Sequence, residues 1–222
     1  MNPNAAGIVD HSGHTSETPE SHARTRPQMT RELPFGWLLV ITGAIGWIAS
    51  GVLVLEKLAV LQDPNHTTVC DVNPWISCGQ VMQKWQSSLF GFPNMFIGIV
   101  AFAVILTVGM ALVSGATFAR WFWACLQTGI TLGFAFVVWL WSQALYDIHI
   151  LCPFCMIVWA AMIPLFVWVT IRNITAGIIP VPPGAARIIS DSGWIITALL
   201  YVAVIASIFF AFIQVFAGTS GF

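Results

Sequence analysis

Leu151-Cys152-Pro153-Phe154-Cys155-Met156 opens an apolar run that reaches Ile171 without one charged side chain. Two cysteines separated by two residues can close a small disulfide and open it again, which makes the pair a redox device. Pro153 suits the first position of a helix, where a missing N–H costs nothing. Cys152 and Cys155 then stand at a helix N-terminus, whose partial positive charge favours a thiolate over a thiol. A turn rises about 5.4 Å, so Cys155 lies roughly 4–5 Å deeper along the axis than Cys152. One sulfur faces the surface and the other the apolar interior.

The rest of the chain has the same apolar character. It is 58% hydrophobic and 8% charged, which excludes an ordinary soluble domain. Five windows are long enough to span a bilayer, which takes about 20 apolar residues. They are Leu33–Leu55, Met95–Val113, Trp121–Leu145, Cys152–Ile171 and Trp194–Phe216. The expected class is an all-α, polytopic integral membrane protein. A net charge of −1 gives no electrostatic case for nucleic acid.

Arginine and lysine set the expected orientation. Arg24, Arg26, Arg31, Arg120, Arg172 and Arg187 fall on one side of the spans, and only Lys57 and Lys84 on the other. The N-terminus is therefore expected in the cytoplasm, with the C-terminus outside. Cys70, Cys78, Cys152 and Cys155 then share the outer face, where disulfides persist.

Residues 1–32 are polar and read as a disordered cytoplasmic tail ahead of a transmembrane domain over 33–217. His11, His14 and His22 are too irregularly spaced to favour a metal tract over a plain polar tail. The outer loop, 56–93, is the longest connection. Asn73-Pro74 reads as an N-cap followed by the first helical residue. From there Cys78, Val81, Met82, Trp85 and Leu89 recur at helical spacing, so a short amphipathic helix along the outer interface is expected. Gln127 and Thr128 in the third span are expected to bond across helices, and Gly129/Gly133 forms a helix-packing pattern. Cys125, alone in that span, reads as an inert small core residue. Asp147 and His149, just before the cysteine motif, read as interfacial loop charges. The sequence stops six residues after Phe216, so no soluble domain is expected beyond the fifth span.

Four outer-face cysteines admit several uses. Two static staples are one, but a bridge between residues three apart closes too small a loop to stabilise much. A four-cysteine zinc site prefers tighter knuckles than the step from Cys70 to Cys78. A relay suits the arrangement better: an exposed pair meets a soluble protein, and a rigid pair at the edge of the apolar layer meets a lipid-soluble oxidant. A non-catalytic scaffold or small transporter is a further reading, although a transporter normally needs intramembrane charges.

Three motifs together resemble the vitamin K epoxide reductase family. They are Cys70-Asp71 through Ser77-Cys78, Phe90-Gly91-Phe92-Pro93-Asn94, and Leu145-Tyr146-Asp147 leading to Cys152-Pro153-Phe154-Cys155. The likeness covers most of residues 33–216, and the chain resembles the bacterial members that act as thiol oxidases. It implies a four-helix bundle around a quinone, menaquinone or ubiquinone, plus a fifth helix, in the inner (plasma) membrane. It also implies a separate extracytoplasmic thioredoxin-fold (DsbA-like) partner, with disulfide formation as the outcome. A quinone-epoxide reductase driven by a reductive partner would use the same residues.

Residue by residue, the resemblance makes Cys155 the cysteine beside the quinone ring and Cys152 its exchange partner. Cys78 becomes the loop cysteine that exchanges with Cys152, and Cys70 the one that meets the partner protein. Asn94 matches a hydrogen-bond donor to a quinone carbonyl. Trp159 stands where vertebrate relatives have tyrosine, and packing against the ring is expected of it. Phe154 is a tolerated residue between the cysteines and is also expected near the cofactor. Where the family often has Ser or Thr after the second loop cysteine, this chain has Lys84, with Ser87 and Ser88 beyond, and no role is assigned there.

Overall fold

The computed structural model describes residues 30–63 and 66–213. Seven α-helices are formed among them: α1 Glu32–Gln62, α2 Cys78–Gln83, α3 Met95–Val113, α4 Arg120–Gln143, α5 Pro153–Thr175, α6 Pro183–Asp191 and α7 Gly193–Ala211. Five of these (α1, α3, α4, α5 and α7) are long and apolar enough to cross a membrane, α4 through its π-helical continuation to Ile148. The class is all-helical and membrane-spanning, as the composition requires. The expected tail lies outside the described residues up to position 29, as does the end of the fifth span from 214 onward.

Several boundaries differ from the sequence reading. The first helix continues seven residues past Leu55 and carries Glu56 and Lys57 with it. At 1.5 Å per residue its 31 residues run about 46 Å, longer than an apolar layer of about 30 Å. Its last turns therefore stand clear as a post for the loop that carries Cys70 and Cys78. There Lys57 Nζ donates to Met82 O at 3.1 Å, and Glu56 pairs with His66 at 3.2 Å. The amphipathic helix expected from Asn73 starts later, with Ser77 as its N-cap. Asn73 Oδ1 does accept from the N–H groups of Trp75 and Ile76, but the chain then extends instead of coiling. The reason is tertiary: Ile76 pairs in parallel with Leu151. Helix α6, in the Pro-rich connection before α7, is an element the sequence reading did not include.

The bundle is organised by two seams. Along α1 and α3, glycines allow backbone to approach backbone. A Cβ on Gly43 would stand 2.8 Å from Leu106 N, and one on Gly109 2.7 Å from Val40 N. Close approach of this kind drives helix association where the hydrophobic effect gives no preference. The second seam belongs to α5, which packs on α1, α4 and α7. Pro164 interrupts α5 and cannot donate to Ala160 O, four residues back. Tyr201 of α7 supplies the missing donor, its hydroxyl reaching Ala160 O at 2.7 Å.

The end of the bundle away from the cysteines is fixed by polar ties. Arg172 lies with its guanidinium carbon 3.4 Å from the Trp123 ring centroid and 5.6 Å from that of Phe35, a cation–π stack linking α5, α4 and α1. Gln127 bonds across helices as expected, donating to Thr170 Oγ1 at 3.0 Å and accepting from Asn173 Nδ2 at 2.9 Å. Thr128 does not; its hydroxyl bonds to Ala124 O in its own helix. Nor do Gly129 and Gly133 act together as a helix seam, since only Gly133 faces α5, where a Cβ would stand 3.5 Å from Met162 Cε. A Cβ on Gly129 would meet nothing within 4 Å, because α4 faces a cavity there.

Candidate active site

The first and third connections of the bundle meet by their main chains. Ser77 N donates to Leu151 O at 3.0 Å, and Leu151 N to Trp75 O at 2.8 Å. The next residue along each strand is a cysteine. Cys78 and Cys152 are thereby brought together, with Cys152 Sγ 3.2 Å from Cys78 Sγ. Cys78 is in turn disulfide-bonded to Cys70, with their Cα atoms 5.6 Å apart. All three are buried, packed with Leu53 and Met82.

Cys152 is the N-cap of α5. Its sulfur accepts from Cys155 N at 3.4 Å, as a thiolate at a helix start should. The Cys155 side chain beside it holds the Cys152 thiol below its usual range, against the effect of burial and with help from the backbone N–H groups of Cys155 and Phe154. Cys152 and Cys155 are both free thiols.

On the loop side, Asp71 ties the turn that carries Cys70 to the start of α2. Its carboxylate accepts from Thr68 N at 3.0 Å, Ser77 Oγ at 2.6 Å and Gly79 N at 3.1 Å. Partial burial pushes the Asp71 carboxyl up, but these bonds, Ser77 first among them, outweigh it and leave the group below the usual carboxylate range. A depressed carboxylate stabilises the fold above the unfolded-chain pKa of about 3.9, and that contribution is lost only as pH falls through the lower folded value. We expect reduction of Cys70–Cys78 by a water-soluble phosphine to be several-fold faster in Asp71→Ala. The wild type should keep its protection at pH 5 and lose it only below about pH 4. Wild-type protection already lost at pH 5 would show that the carboxylate is not the tie.

Beneath the cysteines is a cavity of about 510 Å³, in the range that small ligands fill. Its walls come from α1, α3, α4 and α5, and α3 and α4 scarcely touch one another across it. Trp85 and Phe90 lean on Trp139 and Phe136 of α4, carrying the outer loop over its top. Cys155 and Trp159, one turn apart, both border it. So does Asn94, whose Nδ2 donates to Gln86 O at 2.6 Å and whose Oδ1 accepts from Leu89 N. Asn94 makes no cap bond to α3, and its amide carries a second N–H.

Phe154, expected near the cofactor, does not border the cavity and packs on the cluster around Cys70 and Cys78. Cys125, expected in the core, is exposed along the cavity wall. Gln86, which the sequence reading left without a role, is buried at the cavity's outer end. Its only sequence signal is a polar residue in the loop ahead of the second apolar span.

A family model for the vitamin K epoxide reductase family matches residues 37–170. The chain belongs to that family. The matched segment begins in α1 and ends in α5, so it takes in both cysteine pairs and every wall of the cavity. Comparison with curated proteins found no match. As a member of the vitamin K epoxide reductase family the protein is a membrane oxidoreductase of disulfide chemistry linked to quinone. Its cavity suits a quinone: the walls are apolar and aromatic, and of the few polar side chains Gln86, Ser87 and Asn94 gather at the end beside Cys78, Cys152 and Cys155, with Ser50 on the α1 wall.

Proposed function

We propose that this protein is a thiol oxidase of the bacterial type. It draws electrons from an extracytoplasmic thioredoxin-fold dithiol protein and delivers them to quinone, so that disulfides are formed outside the cytoplasm. The observation that carries this reading is the 3.2 Å separation of Cys78 Sγ and Cys152 Sγ, next to a cavity that Cys155 borders. The whole transmembrane unit, 33–217, serves that task, with the cysteines on the outer face of the plasma membrane and the N-terminus in the cytoplasm.

Each exchange is a thiolate attack on a disulfide sulfur. A partner thiolate attacks Cys70 and expels Cys78 as a thiolate. The partner's second thiolate attacks the first, closes its own disulfide and releases Cys70. Cys78 then attacks Cys152 of an oxidised Cys152–Cys155 pair and expels Cys155. Finally Cys70 attacks Cys78, re-forming the loop disulfide and releasing Cys152. Two electrons now reside on Cys152 and Cys155, and the loop pair is oxidised, which is the pairing seen here. The helix start that favours Cys152 as a thiolate also makes it a good leaving group in the last step. A quinone held by Asn94, Trp159 and Cys155 supplies a two-electron, two-proton acceptor. Cys70 is 4% exposed, so the 68–71 turn must lift for the partner to reach it.

Covalent capture tests the order of transfer. Cys78→Ala leaves Cys70 unpaired, and it should form a mixed disulfide with an oxidised thioredoxin-fold protein that reductant releases. Adding Cys70→Ala should abolish the adduct. An adduct that persists without Cys70 would put the entry point elsewhere.

A further inference from the structure

The outer end of the cavity holds a polar group that the relay leaves unused. Gln86 is 2% exposed and borders the cavity. Its Nε2 donates to Asp147 Oδ2 and, at 3.4 Å, to Gln143 Oε1, so its donor side is committed to the end of α4 and the turn after it. Its Oε1 is buried and, among the described residues, accepts from nothing. A buried acceptor left unserved keeps its full desolvation penalty. Asp147 prevents the amide from turning over to relieve this, because an ionised carboxylate only accepts and would have nothing to offer Oε1. Asn94 Nδ2 donates to the main-chain carbonyl of Gln86, so Asn94 is tied to the backbone that carries this amide.

We propose that Gln86 is a further ligand-contacting residue, one that selects the hydroquinone form of the occupant over the quinone, with Asp147 as the residue that positions it. The inference rests on the quinone reading above and deepens it. A quinone carbonyl has no hydrogen to give and can only accept, as from Asn94. A hydroquinone hydroxyl donates, and Oε1 is the acceptor that lacks a donor. Preferential binding of the reduced form strengthens the pull of the bound couple on the thiols. Asp147 is then more than a charge in an interfacial loop: it determines which end of the amide is left free.

The test is an anaerobic titration of the purified full chain with menadione and with its hydroquinone, read by quenching of tryptophan fluorescence. Gln86→Met keeps the side-chain length and removes both amide functions. It should weaken hydroquinone binding about fivefold, one hydrogen bond's worth, and leave menadione within about twofold. Asp147→Asn can donate to Oε1 and lets the amide turn over, so it should narrow the preference for the reduced form by a similar factor, and Asp147→Glu should restore it. Equal weakening of both forms would mark a merely structural role and overturn the proposal. So would an unchanged preference in every variant, as when water serves Oε1. A wild type that binds both forms, with variants that do not alter the ratio, sinks this inference alone. A wild type that binds neither sinks the proposed function with it.

Discussion

Cys155→Ala is expected to lower dithiol-driven quinone reduction by about a thousandfold or more, to the uncatalysed rate. Cys152 and Cys155 stand together at the start of α5 and both border the cavity, but Cys155 is the deeper of the two, one turn from Trp159. Without it Cys152 cannot close the inner disulfide, and electrons arriving at Cys78 have no onward path. The fold should be little affected, since the residue is half-buried and the substitution removes one atom from a cavity edge. Cys125→Ser is the control. That thiol also borders the cavity, but it lies in the second turn of α4 and is a free thiol outside the Cys70, Cys78, Cys152 and Cys155 group, so the variant should turn over normally. Quinol appearance followed in the ultraviolet decides between them. Wild-type turnover in Cys155→Ala together with loss in Cys125→Ser would move the exit of the relay to α4.

Gly129→Leu should weaken quinone binding by about 10- to 100-fold while leaving exchange between Cys70–Cys78 and a dithiol protein intact. A Cβ at Gly129 meets open space, so a leucine there projects into the cavity rather than into a neighbouring helix. Overfilling a packed site costs about 1–3 kcal/mol, and each 1.4 kcal/mol is a factor of ten in affinity. The cysteines stand at the other end of the space, held by the main chain. Stopped-flow mixing with reduced partner separates the two steps: loop reduction at the wild-type rate, followed by stalled quinol formation. Equal slowing of both steps would mean that the substitution had disturbed the bundle, and unchanged binding would place the ligand elsewhere.

How much of this could be read from residues alone differs from one element to the next. The span at Met95–Val113 was legible to the residue because hydropathy and its flanking turns change abruptly there. Pairing of both cysteine sets at one end of the bundle was legible from helix parity and arginine placement. The start of α2 was not. Asn73-Pro74 carries a sound local signal, but the pairing of Ile76 with Leu151 holds that stretch extended until Ser77. That pairing joins residues 75 apart, and no window along the chain contains it. The two glycine pairs show the same limit. Gly129/Gly133 has the familiar spacing, yet Gly129 faces open space and Gly133 meets α5 only at Met162, whereas Gly43 packs tightly on Leu106 and Gly109 on Val40. Spacing identifies a small-residue stripe but does not say what stands opposite. Gln86 was illegible for a related reason, since its neighbours Gln143 and Asp147 come from the far end of another helix.

Because α3 and α4 scarcely touch on their shared side of the cavity, a bilayer around the bundle would complete that side with acyl chains, and under the proposed function the quinone would enter there. The acceptor need not pass through water, and the concentration that governs its binding is its mole fraction among the lipids. Saturation should therefore follow the quinone-to-lipid ratio of a proteoliposome and not the amount added per millilitre. Diluting such vesicles in buffer should leave occupancy unchanged, whereas fusing them with quinone-free vesicles should lower it.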